Sequence, residues 1–313
     1  MRLAAMIDEQ AGALERLAGL DVSEQAAVLR GARRVAVVGT GTSQHAAELG
    51  ALMLEEAGTD ARWSASARWT ARPDEAVVLI SHTAETSFAR RVRRTALDRG
   101  LPLVTITGIG RGWPEAIETV AAEESETYTV SYTAALAVLA RLAHELGAPF
   151  GDPAGLRGLA AEVRGLSAEP RVDRIPVPAR ALAIVGSGPY AVTAREGALK
   201  IREGARILAE GFDSEYLLHG GAVPFTAADG LIVLAPEADP DGLAEGLAGA
   251  AAGEGLAVTR LRGSGGHPLL AQIPMTVRLQ SLAARFAVLR GQDPDVAIVG
   301  EWAAPGLWAL GGL

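Results

Sequence analysis

The stretch Val35-Ala36-Val37-Val38-Gly39-Thr40-Gly41-Thr42-Ser43 decides the fold class. Its four leading apolar residues are typical of a strand that is buried on both faces of a sheet. The glycines and hydroxyl residues that follow predict a tight turn, and a helix is expected over residues 44–57. A strand, a small polar turn and a helix make the first part of a βαβ unit, so we expect a parallel sheet.

Similar apolar runs recur downstream of this unit. They predict strands over residues 76–80 and 101–106, with a weaker strand around 61–65. Helices are predicted over residues 87–98 and 131–146, and the first thirty residues also show a helical pattern. This alternation of strands and helices indicates a sheet with helices on both faces.

The same order of elements returns after a stretch rich in proline and polar residues. Another apolar run at 181–185 leads into Gly186-Ser187-Gly188 and a helix, and a later run at 231–234 precedes a helix over 240–252. We therefore predict an α/β protein with two tandem domains, each a mostly parallel sheet flanked by helices. The predicted boundaries are an N-terminal helical segment 1–30, a first domain 31–150, a linker 151–178, a second domain 179–300 and a C-terminal tail 301–313.

Composition narrows the classes of function. A net charge of -8 argues against general affinity for nucleic acid or for an anionic membrane surface. The carboxylates of Asp8 and Glu9 interrupt the region where a signal peptide would be apolar, and the chain has no cysteine, so a cytoplasmic location is expected. No closely spaced set of histidines and carboxylates indicates a metal site, and we expect no metal or organic cofactor.

Two loops at the ends of predicted strands are candidates for binding phosphate. One is Gly41-Thr42-Ser43 and the other is Ser81-His82-Thr83-Ala84-Glu85-Thr86, and each directly precedes a helix. Hydroxyl groups and the N–H groups of a helix N-terminus can both donate hydrogen bonds to a phosphate. Simple helix capping is the alternative, while dinucleotide binding is disfavoured because the third glycine of that fingerprint is missing. The predicted ligand-binding residues are Thr42, Ser43, Ser81, His82, Thr83 and Thr86.

Lys200 is the only lysine among the 29 basic residues of the chain. Arginine can serve in surface ion pairs, but a group that must release a proton near neutral pH has to be something other than a guanidinium. Helical spacing would place Glu196, Lys200 and Glu203 on one face. The pattern is compatible with a proton-transfer site and also with a solvated ladder of ion pairs.

This region resembles a known family. It is similar to the second sugar isomerase (SIS) domain of the isomerase portion of glucosamine-6-phosphate synthase. The similarity lies in the stretch from Glu196 to Glu203, in Ala209-Glu210, and in the spacing of sixteen residues from Glu203 to His219, which Gly220 follows. The region also resembles related tandem-SIS amino-sugar phosphate deaminases and deglycases. The loops at 41–43 and 81–86 lie where the first SIS domain of that family has its sugar-phosphate loops.

The resemblance implies a role for each matching residue. Glu203 would move a proton between C1 and C2 of an opened sugar, and Lys200 would assist at the sugar oxygens. His219 would reach across from a second subunit and help to open the ring, which implies a homodimer with a composite active site. Carbon-acid chemistry of this kind does need a shielded carboxylate and a nearby cation.

The chain also departs from the family pattern. The family's second phosphate loop usually reads Ser-Gln-Ser-Gly-Glu-Thr, so His82, Thr83 and Ala84 are replacements, and Tyr128 stands where a small residue is expected. No lysine follows Lys200 and no cysteine nucleophile is present. Glutamine-dependent synthesis is therefore not expected.

These observations predict a phosphosugar isomerase or deaminase of carbohydrate metabolism. It would act on a hexosamine 6-phosphate type of substrate by proton transfer between C1 and C2. The alternatives are a fructosamine-phosphate deglycase, which uses the same carbon-acid step, and a non-catalytic sugar-phosphate sensor.

Overall fold

The computed structural model describes residues 1–310, and these form two compact units. The unit that we call the first-sheet unit contains residues 9–124, 128–161 and 298–310. The second-sheet unit contains Met1–Asp8, Ser125–Thr127 and Glu162–Ala297. Each unit has its own parallel β-sheet and its own buried core.

The helices and strands alternate along most of the chain. The strands are β1 (Arg34–Gly39), β2 (Ala61–Ala65), β3 (Glu75–Ile80), β4 (Leu103–Thr107), β5 (Ala116–Glu118), β6 (Ala181–Gly186), β7 (Leu208–Asp213), β8 (Gly230–Ala235) and β9 (Ala257–Arg262). The helices are α1 (Arg2–Ala18), α2 (Ser23–Arg30), α3 (Thr42–Glu56), α4 (Ser87–Asp98), α5 (Val130–Leu146), α6 (Pro153–Ala168), α7 (Pro189–Ala205), α8 (Ser214–Tyr216), α9 (Leu243–Gly253), α10 (Gln272–Arg290) and α11 (Pro305–Ala309). Short turns of other helical types cover Leu217–Gly221 and Gly300–Ala303.

The four strands of the second sheet repeat the order of the first four strands of the first sheet. The first has the order β2-β1-β3-β4-β5 and the second has the order β7-β6-β8-β9, with every neighbouring pair parallel. The central strands β3, β6 and β8 are buried at every residue and β1 at every residue except Arg34, as continuous runs of small and branched apolar residues require. The prediction of an α/β fold with parallel sheets flanked by helices is confirmed.

Each sheet also buries one carboxylate beside its second central strand. Glu75, at the start of β3, accepts hydrogen bonds from Arg62 at 2.7 and 2.9 Å. Asp229, just before β8, accepts from Arg180 and from the N–H groups of Ala181 and Thr226. The hydrogen bond from Arg180, followed by those backbone contacts, lowers the pKa of Asp229 to about 2.

The structure differs from the sequence predictions mainly at edges and connections. The segment 151–178, predicted as a linker, contains the sixteen-residue helix α6. The edge strands β5, β7 and β9 were not predicted, because β7 and β9 are partly exposed and mix charged with apolar residues. None of the helices within residues 1–310 combines the length and the apolar character needed to cross a membrane.

Candidate functional site

In the first-sheet unit, β1 runs directly into α3 through a turn that needs glycine twice. A Cβ atom at Gly39 would clash with the carbonyl oxygen of Ser43, so only glycine fits at this position of the turn. Gly41 has φ 58° and ψ -126°, a conformation that L side chains rarely adopt. This turn places Thr42 and Ser43 at the N-terminus of α3.

The second predicted loop, Ser81 to Thr86, joins β3 to α4. Because β1 and β3 are parallel neighbours, with Val37 paired to Val78, both loops leave the same edge of the sheet. Ligands of α/β proteins bind at this carboxyl edge. The two loops line one cavity of about 200 Å³.

All six predicted ligand-binding residues line this cavity. Tyr128, which the sequence singled out as a departure from the family pattern, also lines it, and the structure adds three further polar or aromatic residues. The lining includes Thr42, Ser43, Ser81, His82, Thr83, Thr86 and Tyr128, and the additions Thr40, Ser131 and Trp308. Trp308 comes from α11, and its carbonyl oxygen accepts a 2.9 Å hydrogen bond from Ser87. No sequence pattern links residue 308 to a loop more than two hundred residues away.

The hydroxyl groups of the second loop are not explained by helix capping. Thr86 is the N-cap residue of α4, yet its side chain makes no capping hydrogen bond. Thr83 accepts a hydrogen bond from the N–H of Glu85 at 3.2 Å, a contact within the loop. The N-terminus of α4 therefore keeps N–H groups that an anion can use.

His82 is mostly buried in this loop and is uncharged near neutral pH. Burial, and then the nearby charge of Arg111, lowers the pKa of His82 to about 4. The imidazole Nε2 accepts a long, 3.4 Å hydrogen bond from the N–H of Glu123, which assigns the proton to Nδ1. Nδ1 is buried and has no hydrogen-bond partner within the described chain. A neutral imidazole therefore stands where the family pattern has an amide.

The other departures from the family pattern have visible consequences. Ala84 has φ 57°, a left-handed conformation that explains why the family has glycine at this position. Tyr128 packs edge-on against His82, with ring centroids 5.9 Å apart. Both aromatic rings line the cavity, which narrows it relative to one lined by small residues.

The N-terminus of α5, which begins at Val130, is already occupied by a carboxylate. The carboxylate of Glu123 accepts hydrogen bonds from the N–H groups of Thr129 and Ser131, both at 2.8 Å. A bound anion at this helix end would compete with that carboxylate. The anion-binding capacity of this unit therefore lies in the loops after β1 and β3.

In the second-sheet unit, α7 carries the acidic and basic residues that the sequence singled out. The side chain of Lys200 is completely buried, and its Nζ lies 2.5 Å from Oε2 of Glu203 and 3.6 Å from Oε1 of Glu196. Glu196 is also fully buried, while the side chain of Glu203 is 19% exposed. This burial excludes the alternative of a solvated ladder of ion pairs.

Glu203 has the electrostatics of a proton acceptor. Burial raises its pKa above the ordinary value, although the charge and the hydrogen bond of Lys200 oppose that rise. A carboxylate with a raised pKa binds a proton more readily, and the adjacent ammonium can stabilise negative charge that develops on an oxygen. The pair combines a base and an electrophile within one turn of helix.

Close packing fixes the position of α7. A side chain at Gly197 would meet Cδ1 of Leu279 at 2.4 Å, so α7 and α10 approach through this glycine. A side chain at Gly211 on β7 would meet the backbone of Arg195 at 2.4 Å. These contacts pack the helix closely against α10 and β7.

His219 lies on a different element from this pair. It sits in the turn Leu217–Gly221, after β7 and α8, and its side chain is exposed. Within one chain it forms no hydrogen bond with Lys200 or Glu203. The helix that carries Glu203 ends at Ala205, and β7 (Leu208–Asp213) lies between it and the turn that contains His219. Within residues 1–310, no group of three or more histidine or acidic side chains is placed to hold a metal ion.

The fold and the site define this chain as an α/β protein with candidate ligand loops at the carboxyl edge of a parallel sheet. Comparison with known proteins narrows the class to a family. The chain is 30% identical over 269 residues, 76% of its length, to the glutamine–fructose-6-phosphate aminotransferase (isomerizing) of Symbiobacterium thermophilum. No protein-family model matches the sequence. The chain spans about half the length of the curated relatives that it matches, between 35% and 56%.

Solved structures agree on the fold. The tagatose-6-phosphate ketose/aldose isomerase of Escherichia coli superposes with a TM-score of 0.80 at 16% identity, covering 96% of both chains. The glucosamine-6-phosphate deaminase of Thermotoga maritima gives 0.79 at 16% identity, covering 94% of this chain and 97% of that one. The resemblance to the SIS family and to the isomerase portion of glucosamine-6-phosphate synthase is confirmed.

Proposed function

We propose that this protein is a phosphosugar isomerase or deaminase that acts on an amino-sugar phosphate of the hexosamine 6-phosphate type. The observation that carries the proposal is the fully buried Lys200 within 2.5 Å of Glu203. A buried lysine held between two carboxylates has a large desolvation cost, which a purely structural role does not require. Further support comes from the hydroxyl-lined cavity and from the similarity to sugar-phosphate proteins.

In this proposal the two sheet units are tandem SIS domains with separate tasks. The loops after β1 and β3 bind the phosphate through hydroxyl and N–H donors, so that no basic side chain is needed there. The Lys200–Glu203 pair performs the proton transfer. The strand order that both sheets share supports the tandem arrangement.

The proposed chemistry balances without an added oxidant or cofactor. With the ring open, the carboxylate of Glu203 takes the proton from C2, and the ammonium of Lys200 donates a proton to the oxygen at C1, which gives an enolamine. Glu203 then returns its proton to C1, an amine proton passes back to Lys200, and an imine remains at C2. Water adds to the imine, and the products are a ketose phosphate and ammonia. On a substrate with a hydroxyl group in place of the amine, the same proton transfer from C2 to C1 would complete the reaction and give a ketose phosphate.

Product analysis on a matched set of substrates tests this proposal. Glucosamine 6-phosphate should yield ammonia and fructose 6-phosphate, whereas free glucosamine should neither react nor bind. A fructosamine phosphate in the same assay tests the deglycase alternative through release of the free amine. Binding of glucosamine 6-phosphate without any turnover would contradict the proposed enzymatic activity and favour the alternative of a non-catalytic sugar-phosphate sensor.

We further propose a homodimer in which His219 opens the ring of a sugar bound to a second copy of the chain. The exposure of His219 supports this arrangement, because an exposed side chain is available to a second copy of the chain. Glu203→Gln and His219→Asn variants should each be nearly inactive on a cyclic substrate. After random subunit exchange, half of the dimers are mixed, and each mixed dimer has one intact site and one site that lacks both groups. The mixture should therefore recover about a quarter of wild-type activity. Absence of recovery after demonstrated exchange would contradict a shared site.

A further inference from the structure

The second-sheet unit contains a second cavity, which shares no residue with the sites described above. Its volume is about 430 Å³, within the roughly 300–1,000 Å³ of small-molecule sites. It lies at the carboxyl end of β9 and is closed by α6 and α10. The lining consists of Glu162, Leu166, Arg171, Arg260, Arg262, Gly263, Ser264, Pro274, Met275 and Arg278.

Four arginines make this cavity strongly basic in a chain whose net charge is -8. Arg260 and Arg262 share a single carboxylate, that of Glu245, at 2.9 and 2.6 Å. Within residues 1–310, neither Arg171 nor Arg278 forms an ion pair. Glu162 adds one further carboxylate to the lining. The guanidinium groups therefore outnumber the carboxylates available to neutralise them.

Arg278 is held in a fixed orientation without a negative partner. Its Nε donates to the carbonyl oxygen of Pro170 at 3.3 Å, and one terminal nitrogen donates to that of Arg262 at 2.9 Å. Burial, and then the charge of Arg171, lowers the pKa of the Arg278 guanidinium. Two like charges thus face one cavity, and a bound anion would relieve their repulsion.

Arg171 reaches the cavity from a strained backbone position. Its φ is 58°, in the left-handed region that a long side chain rarely adopts. Such an outlier persists when the surrounding structure over-determines it and often marks a site that binds a ligand.

We propose that this cavity binds a phosphorylated metabolite whose organic part carries hydroxyl groups. Guanidinium forks match the oxygens of a phosphate, and four of them suit a group with two or more negative charges. Inorganic phosphate alone would leave most of the volume empty, whereas Glu162 can accept hydrogen bonds from hydroxyl groups. Leu166, Pro274 and Met275 supply an apolar wall for carbon atoms. A sugar phosphate and a nucleotide share this chemistry, and the inference stands independently of the proposed activity.

Methionine methyl resonances allow this cavity to be observed separately from the loop cavity. The chain has four methionines, of which Met275 lines the cavity and Met53 lies in α3 of the first-sheet unit. The full chain, labelled at methionine methyl groups, is titrated with inorganic phosphate, with fructose 6-phosphate and with ADP. A saturable shift of the Met275 resonance is expected with at least one organic phosphate, more tightly than with inorganic phosphate. The organic probe that binds more tightly identifies the source as sugar phosphate or nucleotide.

Two arginines in left-handed backbone conformations provide a matched pair of variants. Arg171→Gly removes a cavity charge and relieves the strained φ, while Arg206→Gly makes the same change at φ 52°, outside the lining. In Arg171→Gly, the loss of a charge-assisted hydrogen bond should weaken the binding reported by the Met275 resonance at least about tenfold. Arg206→Gly should leave that binding unchanged. A Met275 resonance that no probe shifts, equal binding of inorganic and organic phosphate, or equal behaviour of the two variants would each overturn the proposal.

Discussion

The turns after β1 and β6 have almost the same backbone and very different side chains. Gly41 has φ 58° and ψ -126°, and Gly188 has φ 55° and ψ -126°. Each turn follows a glycine, Gly39 or Gly186, at which an added side chain would clash with the next helix. The two units thus build the same strand-to-helix connection at the same position of the same strand order.

Chemistry separates the two turns. In the first-sheet unit, Thr42 and Ser43 line a cavity together with the hydroxyl groups of the neighbouring loop. In the second-sheet unit, the hydroxyl groups of Ser187 and Ser214 form a hydrogen bond with an oxygen–oxygen distance of 2.7 Å. The turn continues into Pro189 and the buried Tyr190. The fully buried charged pair of that unit, Glu196 and Lys200, lies on α7 instead. Glycines and strand order define the scaffold, while side chains decide whether it offers neutral donors or a buried base.

The largest expected effect tests the role of α7. Glu203→Gln keeps the shape of the side chain and removes the base, so turnover of glucosamine 6-phosphate should fall by roughly a thousandfold. Because phosphate binding is assigned to the other unit, affinity measured by calorimetry should stay within about threefold. Glu254→Gln, an exposed change in the same unit, serves as the control. Equal losses of affinity and turnover would contradict the division of tasks.

The two equivalent glycines give a direct test of the comparison. No atom lies within 4 Å of a side chain built at Gly41 or at Gly188, so alanine there introduces backbone strain alone. Each variant should lose about 1–2 kcal/mol of unfolding free energy in denaturant titrations. Only Gly41→Ala should also weaken sugar-phosphate binding, by at least about tenfold, because it disturbs donors of the loop cavity. Weaker binding in both variants would assign the phosphate to both turns.

The pH dependence of activity reports on Glu203. A base must be ionised to accept a proton, and burial raises the pKa of this carboxyl above the ordinary value of 4.5. The ratio kcat/KM should therefore fall about tenfold per pH unit on the acid side, starting above pH 4.5. The residual activity of Glu203→Gln should lack this acid limb. An acid limb that survives the substitution would assign the base to another group.

The smallest expected effect concerns the second loop. Ala84 has φ 57°, so Ala84→Gly should relieve strain and raise the unfolding free energy by about 0.5 kcal/mol. Ala250→Gly, at an exposed position within α9, should lower it by about 0.5–1 kcal/mol. Chemical unfolding of both variants measures the difference. A loss of stability at both positions would show that the loop is not strained by its alanine.

Sequence patterns were most informative for the centre of each sheet. The runs at 35–38, 76–80 and 181–185 lie within β1, β3 and β6, because strands buried on both faces require unbroken apolar residues. The helix predicted over 87–98 is α4. The edge strand β2 was predicted, but the edge strands β7 and β9 were missed, since a half-exposed strand tolerates charged residues. Helix α6 was missed because the proline at its start suggested a break.

The same contrast holds for the candidate sites. Sequence spacing placed Glu196, Lys200 and Glu203 on one helix face and placed both loops at strand ends, because periodicity and turn chemistry are local. Burial of Lys200, the neutral state of His82 and the contribution of Trp308 to the loop cavity depend on residues distant in the chain. So does the arginine cavity, whose lining comes from α6, β9 and α10. The sequence determined which groups are available; only tertiary packing decided which of them are desolvated and which meet, because both properties depend on neighbours that the local sequence does not contain.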